Sequence, residues 1–89
     1  MGIPPPEQQE KFDIQWQSMR VISRNCRLTR KKLRITQMDL AFSADIEPYQ
    51  VSRLETDKYY CVAHQTLCLV ARGLNLTISE LCDPDLFSD

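Results

Sequence analysis

The chain has 89 residues, 43% of them hydrophobic and 26% charged, with a formal net charge of −1. That length is one domain with a modest core, and the composition is that of a folded chain rather than a disordered one. No apolar run approaches the roughly 18 residues of a membrane-spanning helix, and the near-neutral sum gives no general pull towards polyanions.

The opening MGIPPPEQQE has neither the basic n-region nor the apolar h-region of a secretory signal. Its prolines, Pro4 to Pro6, read as a flexible arm over residues 1–11. From Phe12, inward candidates recur every three or four positions, through Trp16, Met19, Ile22, Cys26, Thr29 and Leu33. With no Pro or Gly to interrupt it, this spacing predicts a helix over 12–33, its arginines mostly on the opposite side. Charge there is one-sided. Between Arg20 and Arg34 stand seven of the eleven basic residues and no acid, whereas Glu80, Asp83, Asp85 and Asp89 gather in the tail. Distribution outweighs the sum when a chain meets a polyanion, so this basic face is either solvated surface or the footprint of a nucleic acid.

Thr36 caps a predicted second helix, with Leu40, Ala41 and Ala44 as its inner stripe. Asp45 tolerates the left-handed conformation better than most residues and can end it. Pro48, with φ preset, opens a third helix. Glu47 before it is not among the best caps, although its charge suits a helix N-terminus. Val51 and Leu54 face inward in this third helix, and Tyr49, Ser52 and Arg53 outward. The stretch from Glu55 to Ala63 reads as a loop. A fourth helix over 64–74 turns Leu67, Val70, Ala71 and Leu74 inward, and Asn75 closes it. Gly73 falls inside that helix, at about 1 kcal/mol relative to alanine. Thr77 to Glu80 is a capping box for a short fifth helix. The globular domain therefore runs over 12–83, and the acidic tail 84–89 leaves Leu86 and Phe87 without an obvious home.

Cys26, Cys61, Cys68 and Cys82 contain no CxxC pair, so no disulfide framework is expected and a reducing cytoplasm is the expected compartment. Cys61, His64 and Cys68 would share one face of a helix carrying all three. Structural zinc uses four ligands and usually a turn between them, so these read as small buried thiols on a core face, with Cys61 in the preceding loop. No metal and no cofactor is expected. His64 is the single histidine and has no identifiable acid or serine partner, and two glycines build no phosphate loop. No enzyme is expected.

Two short helices joined by a tight turn, with the small Ala41 where their axes cross, form a helix-turn-helix unit. The residues Thr36-Gln37-x-x-Leu40-Ala41-x-x-Ala44-x-Ile46-x-x-x-x-Val51-Ser52-Arg53-Leu54-Glu55-x-x-Lys58 resemble the Cro/phage-repressor (XRE-type) DNA-binding domain. The downstream LVARGLNLTISELC resembles that family's closing helices, and the likeness covers Arg20 to Asp83. The resemblance implies an all-α, five-helix lambda-repressor-like domain, here with an extended N-terminal helix, that binds operator DNA as a homodimer. It implies that Gln37 touches a phosphate and steadies the reading helix, and that Arg30 and Glu55 form a structural ion pair. The alternative for Arg30 is a phosphate contact. Lys58 sits in a loop that approaches the phosphate chain, or is plain solvated surface.

The recognition helix would be 48–55, with Pro48, Tyr49, Gln50, Ser52, Arg53 and Thr56 as DNA-binding candidates beside Gln37 and Lys58. Arg53 can fork onto guanine O6 and N7, worth roughly 1–3 kcal/mol of discrimination. Tyr49 can pack on a thymine methyl or bond a phosphate. Gln50 pairs with adenine or bonds within the protein, and Ser52 reaches DNA or is simply exposed. Pro48 offers only apolar contact where the family often has a polar reader, and Asp45 stands where the family commonly has glycine.

Met38 and Phe42, an i, i+4 pair, occupy a side of the second helix that the family usually leaves polar. They, Trp16, and Leu86 and Phe87 either pack on the domain itself or meet a second copy or another protein. The expected function is a sequence-specific double-stranded DNA-binding transcriptional regulator, a repressor, on a palindromic operator. The alternative is a protein-interaction module or antitoxin-type partner-binding protein that keeps the fold.

Overall fold

The computed structural model describes residues 6–57 and 60–88, with side chains from 14 onward except that of residue 15. These residues form α1 (Pro6–Leu33), α2 (Gln37–Ala44), α3 (Pro48–Thr56), α4 (His64–Gly73) and α5 (Ile78–Leu81), with no strand among them. The all-α expectation holds. One boundary is corrected. The helix expected from Phe12 starts at Pro6, so residues 6–11 belong to α1 rather than to an arm, and residues 1–5 lie outside the described residues. Proline suits a first helical position, and the Glu-Gln-Gln-Glu-Lys that follows consists of good helix formers. The side chain of Phe12 also lies outside the described residues.

The core draws on every helix: Met19, Ile22 and Cys26 of α1, Leu40 and Ala41 of α2, Val51 and Leu54 of α3, Val70 and Ala71 of α4, and Leu81 of α5, with Leu74. Helix α2 packs on α3 and α4, α1 on α3 and α5, and α4 on α5. Gly73 explains the fit of α4 to α2. A Cβ there would stand 3.0 Å from Leu40 Cδ1 and 3.5 Å from Ala44 Cβ, and Leu40 is fully buried. Helix propensity yields to a close approach.

Three helices end in the same way. Arg34, Asp45 and Asn75 take positive φ of 59°, 58° and 60°. The following residue then donates back five positions: Ile35 N to Arg30 O at 3.1 Å, Ile46 N to Ala41 O at 3.0 Å, and Leu76 N to Ala71 O at 2.8 Å. Ile35, Ile46 and Leu76 each pack against the core. This is the Schellman closure with its apolar contact, without glycine at any of the three positions. The beginnings are as orderly. Thr36 Oγ1 accepts from Asp39 N while Asp39 Oδ2 accepts from Thr36 N, and Thr77 and Glu80 make the same exchange at α5.

Asn25, inside the basic run, is wholly buried. Its Nδ2 donates to Leu81 O at 2.9 Å and Asp83 O at 2.7 Å, joining α1 to the end of α5. The cysteines differ from expectation. Cys26 alone is buried, Cys68 is half-buried, Cys61 and Cys82 are exposed, and all are free thiols. Helix α4 points Val70 and Ala71 at the core, which leaves Cys68 on its flank beside the exposed His64, 3.7 Å from Nδ1. Among the described residues no group of three His, Cys, Asp or Glu is placed to hold a metal ion, and no helix is long and apolar enough to cross a membrane.

Candidate functional site

The site is built on Glu55, a carboxylate at the inner face of α3 with a side chain only 2% exposed. Arg30 meets it with both arms of its fork, Nε to Oε2 at 2.9 Å and Nη2 to Oε1 at 3.0 Å. Gln37 Nε2 donates to Oε1 at 3.1 Å, and the Cys26 thiol to Oε2 at 3.4 Å. Arg30 Nη1 also donates to Ile35 O, closing the α1–α2 link. Ser23 Oγ donates to the Glu55 carbonyl at 2.6 Å. One side chain thus joins α1, α2 and α3. A charge this deep requires that many partners.

Burial works to raise the Glu55 pKa, but the hydrogen bonds from Arg30 and Gln37 and the Arg30 charge outweigh it and hold the carboxyl below its ordinary value. The same surroundings act oppositely on Cys26. Burial first, then the Glu55 charge and hydrogen bond, push its thiol well up, so it stays protonated.

With Val51, Leu54 and Glu55 buried, α3 turns its other face outward. Tyr49 and Arg53 are exposed there, with Pro48 and Thr56, and Ser52 is half-buried between them. Thr56 Oγ1 donates to Ser52 O. Gln50 makes the bond within the protein that was one of its two expected roles, its Oε1 accepting from Glu47 N at 2.9 Å. That bond helps the helix start that Glu47 caps poorly.

Arg53 is held on two sides. Its Nη2 lies 3.1 Å from Asp57 Oδ2, and its guanidinium carbon stands 4.5 Å from the centre of the Tyr60 ring. Sequence reasoning named neither partner. The Arg53/Asp57 spacing of four was a usable signal, whereas Tyr60 in a loop has no periodicity to betray it. Lys58 lies outside the described residues.

The basic face of α1 borders this surface. Arg20 stacks over Trp16 at 5.6 Å, and both line a cavity of about 130 Å³ with Thr56 and Asp57 at the C-terminal end of α3. Arg20 also shares an open groove with Arg24 and Arg27. Trp16 is therefore half-buried against the domain rather than standing off as a free contact. Met38 and Phe42 do stand off, 68% and 89% exposed on α2. Leu86 is half-buried, and Phe87 is exposed. In comparisons with known proteins, no family model, no curated protein and no solved structure matches this chain.

Proposed function

We propose that the chain is a sequence-specific double-stranded DNA-binding transcriptional regulator, a repressor with a lambda-repressor-like fold of the Cro/phage-repressor (XRE) type. In this reading α3 enters the major groove, where each base pair presents a distinct pattern of donors and acceptors, while α2 supports it. Arg53 reads guanine, Tyr49 meets a thymine methyl or a phosphate, and the arginines of α1 follow the backbone. The protein acts as a homodimer on a palindromic operator with half-sites about one helical turn apart. The observation that carries the reading is the exposed face of α3, with Arg53 at its centre and Glu55 anchoring the opposite face to α1 and α2.

Selection of random duplex DNA by the protein, with Arg53→Ala in parallel, tests it. The expected result is a palindrome for the native chain and relaxed preference at one symmetric position for the variant. No enrichment by either at low salt would reject it. A second reading, a protein-interaction module, is favoured by Phe42 at 89% exposure beside Met38 at 68%. It expects weak DNA binding whose affinity has little salt dependence.

A further inference from the structure

We propose that Asp57 and Tyr60 are positioning residues for Arg53, holding its guanidinium in the orientation that reads one guanine; this rests on the DNA-binding reading above. An arginine on an open helix face has rotamer freedom to lose on binding. Here two contacts limit that freedom. Asp57 fixes one edge of the guanidinium at 3.1 Å, and the Tyr60 ring covers a face at 4.5 Å.

Tyr60 is a firm platform because its ring packs against the core, and its N–H donates to Asp57 O at 3.0 Å. Asp57 N in turn donates to Arg53 O at 2.8 Å. Reader, carboxylate and ring are therefore tied through the backbone as well.

The pair is a weak stabiliser of the helix. Asp57 is the C-cap of α3, at the negative end of the helix dipole where a carboxylate is disfavoured. Acid-before-base is the stronger order for charged neighbours four apart, and Arg53 before Asp57 is the weaker one. A carboxylate beside a DNA groove also repels phosphate. What the arrangement supplies is a preset fork. Only Nη2 is engaged with Asp57, and the side chain of Arg53 remains 49% exposed, leaving donors for guanine O6 and N7.

The test measures binding of the native chain, Arg53→Ala, Asp57→Asn and Tyr60→Leu to the selected duplex, to versions with each base at the Arg53 position, and to unrelated duplex. Asp57→Asn is expected to lose roughly tenfold in preference for guanine at the position Arg53→Ala relaxes. Its affinity for unrelated duplex is expected to hold or rise, because a negative charge has gone. Tyr60→Leu keeps apolar bulk in the core and is expected to relax the same position. A general structural loss would instead weaken all duplexes alike. Equal loss on all duplexes, or native guanine preference in Asp57→Asn, overturns the proposal while leaving the DNA-binding reading intact. A native chain that enriches no duplex overturns both.

Discussion

Glu55 ties the stability of the fold to pH. Its carboxyl is held below its ordinary value in the folded chain, so it binds a proton less readily there than in the unfolded chain. The stability this contributes is present in full above the unfolded pKa of about 4.3 and is lost as pH falls through the folded value. Protonation also leaves Arg30 facing a neutral acid in a nearly closed site. Denaturant titrations from pH 7 to pH 3 are therefore expected to show a steep loss below about pH 4.3, with a shallower slope for Glu55→Gln. At neutral pH that variant is expected to be less stable by about 3 kcal/mol, because it leaves the Arg30 charge without its counterion. Equal slopes would mean that other carboxylates govern acid unfolding. Much of this network was legible in the residues, since Gln37 and Glu55 belong to the pattern that suggested the family likeness and that likeness implied the Arg30/Glu55 pair. Cys26 and Ser23 were not. Their hydrogen bonds to Glu55 cross 29 and 32 residues of sequence, and a small residue on a helix face gives no sign of what it will meet.

The elements are defined more by their ends than by their interiors. Helix α2 has only eight residues, too few to hold itself together in water, and it owes its limits to the Thr36/Asp39 box and the left-handed Asp45. Asp and Asn are the non-glycine residues best suited to such a closure, which is why positions 45 and 75 were legible. Arg34 was not, because a long basic side chain carries no such preference. Its strain is a reservoir. Arg34→Gly is expected to stabilise the domain by about 1 kcal/mol, read as a higher denaturant midpoint with unchanged slope, while Asp45→Gly gains less. No gain at Arg34 would mean that its side chain makes up the difference elsewhere. The start of α1 was misplaced for a related reason: a triple proline reads as extended chain, yet Pro6, at the first helical position, belongs to the helix. Helical periodicity found the core faces of α1, α3 and α4, yet it assigned Cys68 inward when its neighbours Val70 and Ala71 already filled that face.

At the scale of the whole molecule, the net charge of −1 conceals a segregated surface. Arg20, Arg24 and Arg27 share one groove of α1, and the acids Asp83 and Asp85 lie in the stretch beyond α5. If α1 follows the phosphate chain, Arg20→Ala with Arg27→Ala is expected to weaken binding to every duplex alike and to lower the slope of log affinity against log salt by about two. A slope unchanged from the native chain would leave these arginines as solvated surface. The Asn25 clamp has another consequence, for the order in which the molecule comes into being. The helix made first finds its acceptors at Leu81 and Asp83, 56 and 58 residues later. Helix α1 can meet α3 through Glu55 as soon as α3 exists, but its bond to the end of α5 waits until Leu81 and Asp83 have been made. A chain ended before Leu81 keeps the Glu55 network but leaves the buried Asn25 amide without both of these acceptors.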